Sequence, residues 1–158
     1  MDYLYNTLDR NRQVAEALQQ MWKSALNVQV SLRNEEWKVF LDTRKRGDYK
    51  ISRSGWLPFS PEPAELYELN SGWSDSNETN WSDPEYDRVL HTARQEMDPA
   101  KRYPLYHRLD EILLEEQPTI PFGFYARTRL VHPSIEGWPA NHMEGIVWTR
   151  VGFRETEE

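Results

Sequence analysis

The side chains that could perform acid–base or metal chemistry in this sequence are its histidines and its clustered acids. The sequence contains four histidines and no cysteine, so thiolate nucleophiles and zinc sites built on cysteine are excluded. The histidines lie far apart along the chain, and a lone histidine is more often a surface or satisfied core residue than a catalyst. They are His91, His107, His132 and His142. We therefore assign none of them a catalytic role.

Two acidic clusters are the other candidates for chemistry. The loop that begins at Asp75 starts like a calcium-binding loop, but Asn80 and Tyr86 stand where such a loop needs Gly and Glu. Adjacent Glu115 and Glu116 would point about 100° apart on a helix and could not act on one substrate atom. The sequence motifs for phosphate loops, dinucleotide binding, nucleophile elbows and zinc proteases are absent. We expect no enzyme activity, no metal site and no cofactor.

Composition limits the partners of the chain. Its 158 residues amount to one ordinary domain, and a formal net charge of -7 repels nucleic acids and anionic membrane surfaces. Aromatic residues make up 13% of the chain, far more than disordered chains carry, so we expect it to fold. It has neither an N-terminal signal pattern nor an apolar run of about 18 residues. The chain is either a cytosolic protein or a fragment whose signal lies upstream.

Hydrophobic periodicity predicts the elements of the first half. An amphipathic helix is predicted over 11–26, and strands are predicted over 28–33 and 49–56. We expect Asn34 to cap a helix between the two strands and Gly47 to end that helix in a left-handed conformation. The two strands are predicted to form a parallel pair with a right-handed crossover. The apolar face of the first helix is predicted to contain Val14, Leu18, Met21, Trp22 and Ala25.

Proline and turn-forming residues organise the second half. Residues 57–83 are predicted to be a long connection with one short helix over 64–69. Helices are predicted to start at Asp83-Pro84 and Asp98-Pro99, because Asp accepts free backbone N–H groups and Pro needs no acceptor there. Pro118 is expected to end the second of these helices. The fold class is therefore α/β, a mixed sheet flanked by helices. The remaining predictions are strands over 119–125, 129–131 and 146–153, and a loop over 133–145.

Several short aromatic and charged strings, taken in their order and spacing, resemble one known family. They are Glu36-Trp37-Lys38-Val39-Phe40-Leu41-Asp42-Thr43-Arg44, Gly47-Asp48-Tyr49, Arg53-Ser54-Gly55-Trp56, Asn80-Trp81-Ser82-Asp83-Pro84-Glu85-Tyr86-Asp87-Arg88-Val89-Leu90, the helix over 102–114, and Pro118-Thr119-Ile120-Pro121. With them the chain resembles the oligopeptide-binding proteins, the extracellular solute-binding proteins of bacterial peptide ABC importers. The resemblance covers nearly the whole chain.

The resemblance implies a two-lobed binding protein of which this chain is the C-terminal part. Residues 1–121 would be most of the second lobe, 122–153 the segment that crosses back toward the first lobe, and 154–158 an acidic tail. Such a protein does no chemistry on its ligand: it closes on a peptide or peptide-like solute and delivers it to a membrane permease. The implied location is the periplasm or the outer face of the bacterial membrane, with the export signal upstream. The implied partners are the ligand, the permease and the first lobe.

The resemblance also implies ligand-binding residues. Gly55 and Leu57 belong to the strand whose backbone pairs with the peptide, where a missing side chain lets another backbone approach. Trp56 would form the wall of a side-chain pocket. Arg44 and Arg53 would engage ligand carboxylates directly or through water, and Tyr125 would lie near the cleft. The alternatives are that Trp56 is a core residue and that the arginines are surface charges.

One position departs from the pattern of the family. Phe59 stands where the peptide-binding members carry an Asp that pairs with the α-amino group of the peptide. Phe cannot accept a charged hydrogen bond, and a buried ammonium without a partner is costly. Glu62 could substitute for that Asp, or Phe59 could stack on a sugar, nucleoside or acylated ligand. We therefore predict a peptide-like or modified ligand.

A different class of function also fits the aromatic content. Trp73, Trp81 and Trp138 lie in predicted loops, and flat rings stack on sugar faces. The chain could thus be a carbohydrate-binding or protein-interaction module. The plain alternative is that these rings pack beneath the long connection, since aromatic side chains are mostly buried.

Overall fold

The computed structural model describes residues 1–124, 126, 128–138 and 148–154. A mixed α/β fold is confirmed. Its first half alternates β1 (Asp2–Asn6), α1 (Asp9–Leu26), β2 (Ser31–Glu35), α2 (Trp37–Lys45) and β3 (Ile51–Ser52). Its second half contains α3 (Ala64–Tyr67), a 3-10 turn (Glu68–Asn70), α4 (Pro84–Gln95), α5 (Pro99–Glu116), β4 (Ile135–Glu136), a 3-10 turn (Trp148–Arg150) and β5 (Gly152–Phe153).

A three-stranded parallel sheet organises the first half, with strand order β2-β1-β3. Tyr3 of β1 lies opposite Leu32 of β2 on one side and opposite Ile51 of β3 on the other. The predicted direct pairing of the strands over 28–33 and 49–56 is therefore wrong, because β1 lies between the corresponding strands β2 and β3. Sequence analysis did not predict β1, whose short apolar run is buried on both faces and so lacks the alternation of a half-buried strand.

Helices cover both faces of this sheet. On one face, Tyr3, Tyr5 and Val30 form a core with Ala15 of α1. Leu4 points to the opposite face, because side chains alternate along a strand, and there α2 contacts β1 and contributes the fully buried Phe40. The predicted helix α1 is confirmed, and Leu18 and Trp22 of its predicted face pack against this core. The rest of the face is displaced, because Ala15 is buried whereas Met21 and Ala25 are exposed.

The boundaries around α2 need correction. β2 begins at Ser31 rather than at 28, so Asn34 pairs within the sheet with Tyr5 and does not cap the helix. The N-cap is Glu36, whose side chain accepts a hydrogen bond from the backbone N–H of Lys38. Gly47 does adopt the expected left-handed conformation, with φ of 69°.

The helices of the second half form a separate core. The Asp83 and Asp98 side chains accept backbone N–H bonds from Tyr86 and Ala100, which confirms both predicted helix starts. Helices α4 and α5 pack against each other and α4 packs against α3. The short helix predicted over 64–69 is confirmed as α3 and the turn that follows it. The fully buried side chains of this core are Tyr86, Leu90, Ala93 and Leu109.

The chain beyond α5 differs most from the predictions. The described residues within 119–125 and 129–131 contain no strand, and the predicted loop over 133–145 contains β4. In the described part of the strand predicted over 146–153, residues 148–150 form a 3-10 turn and β5 pairs antiparallel with β4. Strand formation needs a neighbouring backbone, which alternation of residue types cannot supply. The proposed tail over 154–158 is described only at Arg154. In the described part of the chain, no helix combines the length and the apolar character needed to cross a bilayer.

Candidate functional site

The candidate site follows β3, and we name residues 53–59 the site segment. Its first residue continues the sheet, since the Arg53 N–H donates to the carbonyl of Leu4 over 2.8 Å. The Arg53 guanidinium donates to Oδ1 of Asn6, the last residue of β1, over 3.2 Å. Both residues lie where parallel strands end. Ligands of open α/β sheets bind outside the carboxyl ends of such strands.

The side chains of the site segment are largely exposed. The predicted strand over 49–56 is reduced to β3, and residues 54–57 are exposed and form no regular element. Trp56 is 42% exposed, Leu57 50% and Phe59 89%. In the described structure Trp56 is thus not a core residue, and an apolar surface is open to a ligand at this edge of the sheet.

A single carboxylate, that of Glu65 on α3, binds the far end of the site segment. It accepts hydrogen bonds from the backbone N–H groups of Phe59 and Ser60, over 2.8 Å and 3.1 Å. The Trp56 indole N–H lies 3.4 Å from its Oε1 atom. These donors favour the charged carboxylate, and the bond from the Phe59 N–H is the main cause that lowers the pKa of Glu65.

Arg44 binds the near end of the site segment. Its guanidinium donates to Ser54 Oγ over 3.0 Å, forms an ion pair with Glu78 and lies over the Phe40 ring. Its side chain is only 15% exposed. Arg44 is therefore not a free surface charge, because it is already paired with the carboxylate of Glu78.

Glu62, the suggested substitute for the absent Asp, is engaged elsewhere. It accepts a hydrogen bond from the hydroxyl of Tyr106 and lies 3.5 Å from the guanidinium of Arg102. Burial, with the bond to Glu62 as the next cause, raises the pKa of Tyr106 to about 12. Both partners lie on α5, so Glu62 is bonded to the helical core.

The remaining candidate residues differ in their surroundings. Gly55 lies within the exposed site segment, and Tyr125 falls outside the described residues. Trp81 packs edge-on against buried Tyr86 and belongs to the helical core, so it is not free to stack on a sugar. Trp73 is 46% exposed in the long connection, far along the chain from half-buried Trp138. Among the described residues no cluster of His, Asp or Glu could hold a metal ion.

Sequence analysis missed four residues that shape the site. Asn6, Ser54, Glu65 and Glu78 all bond to a predicted site residue or to its backbone. Three of them gave no local signal, since each meets its partner only through the fold. Glu65 could have been suspected, because an acid near the start of a short helix often bonds to nearby backbone N–H groups.

Comparison with known proteins gives consistent matches. Residues 2–78 match the family described as bacterial extracellular solute-binding proteins, family 5 Middle. The periplasmic murein peptide-binding protein MppA of Escherichia coli is 33% identical over 150 residues, which are 95% of this chain and 28% of MppA. The probable deoxycholate-binding periplasmic protein YgiS of E. coli is 31% identical over 149 residues, which are 94% of this chain and 28% of YgiS.

Solved structures agree. The E. coli murein tripeptide-binding protein MppA has a TM-score of 0.84 at 33% identity, over 91% of this chain and 28% of that chain. Haemophilus influenzae OppA in complex with RPPGFSPFR has a TM-score of 0.86 at 27% identity, over 98% of this chain and 31% of that chain. The chain thus spans less than a third of the length of these relatives.

Proposed function

The chain belongs to the family 5 bacterial extracellular solute-binding proteins, and from this premise we propose that it is the C-terminal part of the substrate-binding component of an ABC importer. It captures a peptide or peptide-like solute between two lobes and delivers it to a membrane permease. We assign residues 1–121 to the second lobe and 122–153 to the segment that crosses back toward the first. The relatives are solute-binding proteins with periplasmic or extracellular locations, which supports the same location here and an export signal upstream.

The observation that carries the proposal is the exposed site segment at the edge of a parallel sheet. In strand order β2-β1-β3, β3 is an edge strand among the described residues. Its outer backbone groups are a template for one more strand. An extended peptide laid along 53–57 would use them, and Gly55 would allow its backbone to approach closely. Binding through the main chain tolerates many ligand side chains.

Each predicted site residue then has a role in capture rather than in chemistry. Trp56, Leu57 and Phe59 supply apolar contact area. Arg53, whose guanidinium donates a hydrogen bond to Asn6, lies at the strand ends. There a guanidinium can engage a ligand carboxylate directly or through water. Arg44 contributes chiefly by holding Ser54. Tyr125 remains a proposed cleft residue. The ligand stabilises the closed state because it touches both lobes at once.

The ligand, we infer, presents no free ammonium group to the site segment. Phe59 cannot accept a charged hydrogen bond, and the nearby carboxylates of Glu62 and Glu65 already bind Tyr106 and the backbone of the site segment. With both of these carboxylates engaged, a cation placed here would have neither Glu62 nor Glu65 free to replace its water, and that loss is costly. A blocked, acylated or otherwise apolar end fits better. A relative named for binding deoxycholate supports a range of ligand chemistry within the family.

The test uses the protein encoded by the complete gene. Native mass spectrometry of protein purified from its own host identifies what co-purifies, and isothermal titration compares tripeptides with free and with acetylated amino ends. We expect acetylated peptides to bind at least as tightly as free ones. Phe59→Asp should reverse that order, and Phe59→Leu, which restores no carboxylate, should not. Tight binding of several unmodified tri- to pentapeptides, lost on acetylation, would overturn the ligand assignment.

A further inference from the structure

Both oxygens of the Glu65 carboxylate are occupied by the polypeptide that carries the site. The Phe59 N–H lies 2.8 Å from Oε1 and 3.0 Å from Oε2. The Ser60 N–H and hydroxyl lie 3.1 Å and 3.4 Å from Oε2, and the Trp56 indole N–H is near Oε1. All of these donors come from residues 56–60. The Glu65 side chain thus binds several donors of residues 56–60, a loop that forms no helix or strand of its own.

Burial of side chains holds this loop only in part, since Trp56 is 42% exposed, Leu57 50% and Phe59 89%. An unrestrained loop samples many backbone conformations. Glu65 differs, because it lies on α3 next to Ala64, which is buried in the helical core. The Glu65 carboxylate therefore connects residues 56–60 to the packed helical core.

Two neighbouring acids show that this arrangement is particular to Glu65. The carboxylate of Glu62 binds Tyr106 and Arg102 on α5. The carboxylate of Glu68 forms an ion pair with Arg94 on α4. Glu62 thus joins the segment before α3 to α5, and Glu68 joins the 3-10 turn after α3 to α4. Of the three, Glu65 is the acid that accepts backbone N–H bonds from the loop.

We propose that Glu65 is a positioning residue for ligand capture, which fixes residues 56–60 so that the Trp56 and Phe59 rings are presented in one arrangement. The inference rests on the proposed function, because it concerns the surface assigned there to the ligand. It adds that affinity depends on a side chain that contacts the loop and makes no contact with the ligand. A loop that is ordered before binding loses less conformational entropy on binding, and the affinity for the ligand is therefore higher.

The experiment compares Glu65→Gln and Glu65→Ala with the matched control Glu68→Gln, in protein from the complete gene. Hydrogen-exchange mass spectrometry follows the peptides that contain the amides of Phe59 and Ser60, without ligand. Isothermal titration with N-acetyl-trialanine measures affinity, and thermal unfolding measures global stability. We expect both Glu65 variants to speed exchange in 56–60 about tenfold or more, since bonds to a charged acceptor are lost. We expect affinity for the probe to fall about tenfold, while the unfolding midpoint matches that of the control.

The outcomes separate this inference from the proposed function. Exchange in 56–60 that is equally slow in the Glu65 and Glu68 variants would overturn the positioning role, as would faster exchange with unchanged affinity. If N-acetyl-trialanine fails to bind the unsubstituted protein, the ligand assignment fails. In that case, faster exchange in the Glu65 variants alone still supports Glu65 as the residue that holds the loop.

Discussion

Replacing Arg44 with Met should loosen the junction between α2, the site segment and the long connection. The guanidinium binds Ser54 Oγ and pairs with Glu78, and the backbone carbonyl of Glu78 accepts a bond from the hydroxyl of Tyr49. Met keeps most of the apolar length of the side chain and removes the charge and the donors. The substitution therefore leaves the Glu78 carboxylate without its partner.

The size of the effect follows from burial. The side chains of Arg44 and Glu78 are 15% and 27% exposed. Breaking a fully buried pair from one side costs about 3–5 kcal/mol, whereas an exposed pair contributes about 0–1 kcal/mol. For burial between these limits we expect Arg44→Met to lower the free energy of unfolding by about 2 kcal/mol. Combined with Glu78→Gln, it should show a coupling of about 1 kcal/mol.

Urea unfolding followed by circular dichroism measures this loss. For a slope of about 2 kcal/mol per molar, the midpoint of Arg44→Met should fall by about 1 M. The matched control is Arg46→Met at the end of the same helix, where both Arg46 and its partner Asp42 are more than half exposed, so its midpoint should scarcely change. If Arg44→Met unfolds like this control, or if its effect simply adds to that of Glu78→Gln, then Arg44 does not anchor the site segment. Direct contact with the ligand would then be its better role.

Three further predictions concern the scaffold of the site. Leu109→Ala, at a fully buried position of α5, should lower the free energy of unfolding by about 3 kcal/mol in urea; a loss below about 1 kcal/mol would contradict the packing described. Gly47→Ala adds a Cβ at φ of 69°, only 2.8 Å from Asn80 Nδ2, and should cost about 1–2 kcal/mol by thermal unfolding, where an unchanged midpoint would refute the close approach. The pKa of Tyr106 is raised from 10.0 to about 12, so its stabilising contribution is complete below pH 10.0 and is lost as pH rises through about 12. Tyrosinate absorbance of the folded protein, compared with Tyr106→Phe, measures this titration, and a Tyr106 that ionises near 10.0 would contradict it.

The helix starts were predictable because their signals are local. Asp83 and Asp98 each precede a proline, and each side chain bonds to a backbone N–H two or three residues later. No information from elsewhere in the chain is needed to place such a cap. The same holds for Gly47, whose positive φ ends α2.

The sheet order and the anchors of the site were not predictable in this way. Strand β1 pairs with residues about 30 and about 50 positions later, and periodicity within a window cannot show which strand lies between two others. Likewise, Glu78 pairs with Arg44 from a distant part of the sequence. Family resemblance predicted the site segment, and the fold shows which side chains bond to it.

The shortness of β3 is itself an argument about function. The sequence alternates in a way that predicts a strand over 49–56, yet only Ile51–Ser52 is extended and paired. Along this stretch β1 supplies one neighbour, and the outer edge has no other strand among the described residues. A strand is stabilised by its neighbours, and residues 54–56 lack an outer neighbour, among the described residues, that would extend β3. An extended ligand would supply the absent neighbour, so the disagreement between pattern and structure falls where the proposed function places the peptide.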